Sequence, residues 1–325
     1  MDVVSPDGVP TLPYLAPWYR LARGPGKVVL EYGQRLVCLE GAAADRLLPA
    51  LLPLLDGTRN VDEIAGALGE PVRPAVENAL AQLAEHGVLV EGPPVAEEPR
   101  PFAEAAALLA SLRPAGRSPV DTAAAAAGCS VAVVGSASVG IEAARLLRLS
   151  GAEVGRADAP AGGFDLTVCA PSGAELPRLG EWNEQALRSE VPWLQILPFD
   201  GRYAAIGPLY LPGDTCCYEC FRLRRAANLD AGDELLLLEQ APATYPASAA
   251  LDAIVGGLAA QLVLGWLVLG DHYVPAAFYA LELLPSITLS VHHVHRVPRC
   301  PSCSGLADAA PPLPWHKEVP VELGC

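Results

Sequence analysis

The sequence predicts an α/β protein in two parts, a winged-helix-like module followed by a doubly wound α/β domain that carries a four-cysteine zinc site. Three observations predict it. Short β-rich runs give way to helix-period stretches between residues 19 and 90; a buried-strand run at 129–134 passes through a glycine turn into a helix-period stretch at 141–149; and two Cys-x-x-Cys pairs stand late in the chain.

At 325 residues, 51% of them apolar, the chain is long enough for two or three domains with cores of their own. A formal charge of −15 and a pI near 4.8 repel phosphate backbones and anionic lipid, so neither nucleic acid nor a membrane surface is an expected partner. The longest apolar stretch, 254–269, is interrupted by Gly256, Gly257, Gln261 and Gly265 and is read as a buried helix. No charged leader with an apolar run opens the chain, and nine cysteines, odd in number and partly paired as Cys-x-x-Cys, suit a reducing compartment; the expected location is the cytoplasm.

The first part, residues 1–95, begins with a strand expected at 18–23, then β-rich runs at 27–32 and 35–40 separated by Gly33-Gln34, the Gly-first loop of a tight hairpin. In the last of these runs Leu36 and Cys38 point one way and Val37 and Leu39 the other, so both faces are expected to be covered. Asn60 followed by Glu63 is a capping-box start for a short helix bearing Ile64, Ala67 and Leu68. A further helix starts near Val72, with Pro74 in its first turn and Val76, Ala79, Leu80 and Leu83 on one stripe, and stops at Gly87. This part holds seven Lys and Arg against twelve Asp and Glu, which again disfavours DNA.

Pro, Gly and Glu mark residues 96–125 as a linker with an Ala-rich helical segment. The second domain, 126–325, then opens with the strand at 129–134, the turn Gly135 to Gly140 and the helix at 141–149, with a next strand starting near 151–154. Runs at 166–170 and 193–197 are expected as parallel strands, and 287–297 alternates as an antiparallel strand leading into the second cysteine pair.

Cys217-Tyr218-Glu219-Cys220 and Cys300-Pro301-Ser302-Cys303 form two knuckles, and four thiolates close the tetrahedral sphere of one Zn²⁺, leaving no position for a catalytic water. The metal is expected to be structural. Two pairs about 80 residues apart suit a shared ion better than a redox dithiol. Cys216 is the neighbouring substitute for Cys217; Cys38, Cys129 and Cys169 are expected as buried apolar residues, and Cys325 as a free tail thiol.

The turn Gly135-Ser136-Ala137-Ser138-Val139-Gly140 has the place of a phosphate-binding loop but puts Ala137 where the middle glycine belongs, and only Asp158 stands near the position of a ribose-binding acid. A structural turn without bound ATP is expected. His292, His293 and His295 are placed on one strand, the last two sharing a face, and are expected at the surface rather than in catalysis. Arg222, Arg224 and Arg225 are expected as a solvated helix face.

A small strand-and-helix module, an α/β domain and two late knuckles, with the segment Pro212-Gly213-Asp214-Thr215-Cys216-Cys217-Tyr218-Glu219-Cys220, resemble the ocin-ThiF-like or cyclodehydratase C-type proteins of thiazole/oxazole-modified microcin pathways. The resemblance covers about 15–305. It implies a ubiquitin-activating-type (ThiF-like) domain, and an N-terminal peptide-recognition element in which a precursor's leader peptide adds as a strand between one strand and one helix. Carried over by position, the peptide-binding residues are Arg35, Leu36, Val37, Cys38 and Leu39, facing Val72, Val76, Ala79 and Leu83. The implied role is a non-catalytic scaffold that delivers the precursor of an antibiotic peptide to a separate YcaO-type cyclodehydratase, the subunit that binds ATP and forms azolines. A homodimer is left open. The alternatives are an ATP-dependent ThiF- or MccB-like adenylating enzyme acting on a peptide carboxylate or amide, and a sulfur-carrying protein using Cys216 or Cys217.

Overall fold

The structure, a computed structural model, describes residues 8–96, 99–112, 118–239 and 241–304. Strand β1 (Pro13–Leu15) is followed by an antiparallel three-stranded sheet of β2 (Arg20–Gly24), β3 (Lys27–Tyr32) and β4 (Arg35–Glu40), with β3 in the centre. Tyr32 stands opposite Arg35 across the Gly33-Gln34 loop, and Gly33 takes a φ of 62°, which a β-carbon would strain. Helices α1 (Ala42–Arg46), α2 (Leu48–Leu51), α3 (Val61–Leu68) and α4 (Arg73–Glu85) then lead to β5 (Leu89–Glu91), which pairs antiparallel with β1.

The local signals for these helices are met in atomic detail. The Asn60 side chain accepts from the Glu63 N–H and the Glu63 carboxylate from the Asn60 N–H, both at 2.9 Å, so two otherwise unpaired donors at the start of α3 are satisfied. Past the end of α4, Gly87 has a φ of 64° and its N–H donates to the Ala84 carbonyl, while the Val88 N–H reaches back to Leu83. Val76, Ala79, Leu80 and Leu83 of α4 are buried with Val28, Leu30, Val37, Leu51 and Ile64 in one core.

On β4 the expectation of two covered faces is corrected. Val37 is buried and Leu39 half-buried, but Leu36 is 66% exposed and Cys38 is exposed too. The helices of this part of the chain pack on one side of the small sheet, and an element has only one such side to give it.

Helices α5 (Arg100–Ser111) and α6 (Pro119–Ala127) follow, with Leu109, Ala110, Ala123 and Ala126 buried and the Ser118 hydroxyl capping α6 through the Asp121 N–H. The remaining elements are β6 (Ser130–Val134), α7 (Ser138–Leu149), β7 (Glu153–Arg156), β8 (Leu166–Cys169), α8 (Leu179–Ser189), β9 (Trp193–Leu197), β10 (Tyr203–Tyr210), α9 (Tyr218–Ala227), α10 (Gly232–Leu238), α11 (Ala249–Leu269), β11 (Ala277–Glu282) and β12 (Thr288–His293). Seven of these strands form one sheet in the order β12-β11-β10-β9-β8-β6-β7.

Strands β8 and β9 pair in parallel, as expected of apolar runs joined through a helix. From β9 to β12 the pairing is antiparallel, which a doubly wound sheet throughout does not anticipate. For β9–β10 and β11–β12 the reason lies in the connections: residues 198–202 and 283–287 are too short to carry a crossover, so each returns the chain beside the strand it left, whereas β10 and β11 pair antiparallel across the long connection 211–276. The β9–β10 register shifts between Ile206 and Leu209, at Gly207, where a β-carbon would lie 2.3 Å from the Ala277 carbonyl oxygen. Helix α7 begins at Ser138, inside the stretch expected as turn.

Helix α11 is long and apolar enough to cross a membrane by length and composition, and is the one such helix among the described residues. Its Ala259, Ala260, Val263, Leu264 and Val268 are buried in the fold. Contacts divide the chain into two compact units, the first drawing on the chain up to Val131 with Glu142–Gly155 and Gly256–His272, the second on Ala132–Ile141, Arg156–Val255 and the chain from Tyr273 onward.

Leu80 has no exposed surface and Leu36 is mostly exposed, so the two leucines separate packing from surface. Leu80→Ala is expected to cost about 2–5 kcal/mol in urea unfolding, and Leu36→Ala less than about 0.5 kcal/mol. Equal losses would contradict the covered-face assignment.

Candidate functional site

The four knuckle cysteines meet. Cys217 caps the start of α9 with extended backbone, which puts Cys220 one turn further along on the same side, and the chain beyond β12 brings Cys300 and Cys303 against them. The sulfurs lie 3.8 Å apart for Cys217–Cys220, 3.6 Å for Cys217–Cys300 and 3.5 Å for Cys220–Cys303, and all four lie within 4.8 Å of one another. A tetrahedral ion with metal–sulfur bonds of about 2.3 Å separates its ligand sulfurs by about 3.8 Å. The donor set and spacing therefore fit one metal ion, and among the described residues no other group of His, Cys, Asp and Glu does so.

Support around the sulfurs is built in. The Val297 N–H donates to Cys220 Sγ at 3.3 Å, the pattern in which an outer contact orients a ligand. Cys217, Cys220 and Cys300 are buried beside Trp193, Tyr210, Tyr218 and Phe221, and Cys303 is half-buried. Cys216 is buried next to the first knuckle and stands outside the four-sulfur group, which resolves the choice between it and Cys217. Cys129 and Cys169 are buried as expected, Cys38 is exposed, and Cys325 lies outside the described residues.

The three arginines of α9 are not a solvated face. Arg224 donates to the carbonyls of His295 and Arg296, and Arg296 in turn donates to the carbonyls of Gly213 and Cys303 at 2.9 Å, so two guanidinium groups clasp both knuckles. Arg222 pairs with Glu219 at 3.3 Å and Glu239 at 3.1 Å, and Arg225 pairs with Asp200 and Glu239, both at 3.6 Å. The Arg222 Nε–Glu239 Oε2 contact is an ion pair without hydrogen-bond alignment, and burial keeps the Glu239 carboxyl above its ordinary value against the pull of Arg225 and Arg222. Arg224 stays exposed, and apart from the i,i+3 pair Arg222–Glu219 the partners come from distant sequence, which helical spacing alone does not reveal.

His292, His293 and His295 are exposed, as expected, but their placement on one strand changes. β12 ends at His293, so His295 lies beyond the strand and shares no strand face with it; His292 Nε2 lies 3.1 Å from Ser290 Oγ.

The glycine turn is occupied by the protein itself. A β-carbon on Gly135, whose φ is 96°, would lie 2.2 Å from the Ala170 carbonyl oxygen, and one on Gly140 would lie 2.8 Å from Ala170 Cβ, so both glycines serve packing against the end of β8. The Ala137 N–H donates to the Ala170 carbonyl at 3.2 Å. Glu175 Oε2 accepts from the Ser136 N–H at 2.8 Å and hydroxyl at 2.7 Å, and from the Ser172 N–H at 2.9 Å and hydroxyl at 3.0 Å. Partial burial works against ionisation, yet these donors outweigh it and hold the Glu175 carboxyl at about 2. At the helix start the Ser138 hydroxyl donates to Asp252 at 2.6 Å. The Ser172-x-x-Glu175 spacing is a capping signal visible in sequence; its reach to Ser136 is not.

The peptide-binding candidates divide. Arg35, Leu36, Val37, Cys38 and Leu39 lie on β4, an outer strand of its sheet; Val72 precedes α4 and is exposed, whereas Val76, Ala79 and Leu83 are buried in the core beneath.

No protein-family model matches the sequence, and no curated protein matches it. Solved structures do. The chain is similar to a heterocyclase in complex with substrate and cofactor, at 24% identity and a TM-score of 0.71 over 90% of this chain and 40% of that one. It is similar to the heterocyclase TruD at 22% identity and a TM-score of 0.71, over 91% of this chain and 43% of that one. It is similar to E. coli MccB solved with ATP at 15% identity and a TM-score of 0.60, over 90% of this chain and 99% of that one. The fold is that of the heterocyclase and MccB structures. The chain spans about two fifths of the length of the heterocyclases it matches.

Metal analysis of the purified chain is expected to return one ion per chain, lost in Cys300→Ser and kept in Cys216→Ser. Retention of the ion by Cys300→Ser would break the four-sulfur assignment. For Glu175, whose folded value is lowered, the stabilising contribution is complete above the ordinary 4.5 and disappears as pH falls toward about 2. Wild type should therefore lose more stability than Glu175→Gln across that window in acid-unfolding titrations.

Proposed function

We propose that this chain is a non-catalytic scaffold that captures the leader of a ribosomally made precursor and presents the precursor to a YcaO-type cyclodehydratase forming azolines. The observation that carries the reading is the open β4 edge: an outer strand of the β2-β3-β4 sheet with Leu36 and Cys38 facing solvent. An outer strand offers N–H and C=O groups to an extended peptide, and alternate side chains give that peptide its specificity. The fold held in common with heterocyclases over nine tenths of the chain supports a role in peptide modification.

In this reading residues 1–95 are the recognition element, 96–125 connect, and 126–325 form the ThiF-like domain. Arg35 sets one end of the docking edge, since its Nη1 comes within 3.3 Å of a β-carbon built at Gly87, just past α4. Val72 adds an accessible apolar contact, and Val76, Ala79 and Leu83 support the groove from below. The knuckles hold one structural Zn²⁺ through Cys217, Cys220, Cys300 and Cys303, a closed all-thiolate set. Holding the leader raises the effective concentration of the attached core peptide at the partner's active site, in the cytoplasm where the knuckle thiols stay reduced.

A second reading, an adenylating enzyme acting on the peptide, is favoured by the likeness to MccB along nearly all of that protein's length. Against it stands the glycine turn, whose Ser136 and Ala137 amides already have partners.

Fluorescence polarisation with a labelled leader is expected to give saturable binding without ATP. Leu36→Arg should weaken it on the order of tenfold, about 1.4 kcal/mol, with the melting temperature unchanged. ATP–pyrophosphate exchange stimulated by the precursor would instead select the adenylating enzyme.

A further inference from the structure

We propose that Glu175 is a built-in anion: its carboxylate fills the phosphate position of the turn between β6 and α7 and closes this site to nucleotides. The proposal goes beyond leader capture and stands whether or not a leader docks at β4.

The start of a twelve-residue helix attracts negative charge, because its first N–H groups lack intrahelical partners and the peptide dipoles add there. The Ser136 N–H and hydroxyl of this turn, joined by those of Ser172 in the loop after β8, converge on one carboxylate oxygen. Glu175 Oε2 takes two backbone N–H groups and two hydroxyls, all at 2.7–3.0 Å, a donor set of the kind that receives a phosphoryl oxygen. The next amide along, that of Ala137, is turned to the Ala170 carbonyl.

The surrounding cavity has the chemistry of an anion site held at neutrality. About 210 Å³ in volume, it is lined by Gly135, Ser136, Arg156, Asp158, Glu175 and Arg178 among others. Its charged side chains are two arginines and two carboxylates, so Glu175 cancels a positive charge that a phosphate would otherwise meet. Both arginines are fixed nearby: Arg156 Nη2 donates to the Gly135 carbonyl at 3.0 Å, and Arg178 donates to the Asp158 carbonyl at 3.3 Å while its guanidinium lies 5.1 Å from the Trp182 ring centroid. Because its carboxyl titrates at about 2, the plug keeps its charge at any pH near neutrality.

A carboxylate attached to the chain competes with a free anion at a high effective concentration. Removing it should uncover the site. Isothermal titration of full-length wild type, Glu175→Gln and Glu175→Ala with inorganic pyrophosphate, and then with ATP, tests this. Wild type is expected to show no binding at millimolar pyrophosphate; Glu175→Ala should gain at least tenfold over it, Glu175→Gln should fall between them because it keeps the volume and loses the charge, and adding Arg156→Ala to Glu175→Ala should abolish the gain. Folded variants that bind pyrophosphate no better than wild type would overturn the proposal, as would wild type binding it as well as the variants. Failure of both variants to fold would also overturn it, since Glu175 would then be a structural strut and not an occupant of the site.

Discussion

The convergence of four sulfurs is the constraint on which the second half of the chain depends. Cys217 and Cys220 open α9, while Cys300 and Cys303 belong to a segment that has left β12 and carries no regular structure of its own. Such a segment has backbone groups to satisfy and little apolar surface to hold it down. Thiols facing one another at 3.5–3.8 Å offer only weak hydrogen bonds. An ion shared by the four would change the balance: structural zinc sites supply on the order of 10–16 kcal/mol, while the entropy of closing the intervening loop rises only slowly with its length. Arg224 and Arg296 then have fixed carbonyls to clasp, and the segment 294–299 is drawn along α9.

Polar backbone is treated in different ways at β4 and at the turn after β6. At β4 the outer edge of a small sheet is left beside an exposed leucine and an exposed cysteine. At the turn after β6 the corresponding groups are consumed: one amide by Ala170, another by Glu175, and a neighbouring hydroxyl by Asp252. The net charge of −15 agrees with the second half of that contrast, since it discourages anions in general.

What was legible in the sequence is what local chemistry decides. The Asn60–Glu63 box, Pro74, the Gly87 stop, the Gly33-Gln34 hairpin and the β9 strand were all visible, because each rests on groups within a few residues. The four cysteines that could hold one metal ion were legible too, since two-residue spacing within each knuckle leaves few other uses for paired thiols. Leu36 was misjudged because apolar alternation in a strand does not say whether a second layer exists to cover it. Arg222, Arg224 and Arg225 were misjudged for the same reason in reverse: their partners Asp200, Glu239, His295 and Arg296 lie up to 72 residues away. The antiparallel pairs β9–β10 and β11–β12 follow from two short connections whose significance appears only once the flanking strands are placed.

Fold does not decide between docking and catalysis here, because the same architecture is shared with heterocyclases and with an MccB structure that contains ATP. The decision falls to individual donors. In the turn after β6 the sequence already lacks the middle glycine, yet a missing glycine only makes close approach by a phosphate difficult. Glu175 does something stronger, because a charged group already seated on the same amide must leave before another anion can enter. Its carboxylate is held by four donors from two loops, Ser136 and Ser172, so leaving would strand N–H groups and hydroxyls together. The partners of this turn are thus set by hydrogen bonds from Glu175 and Ala170 and not by the shape of the sheet.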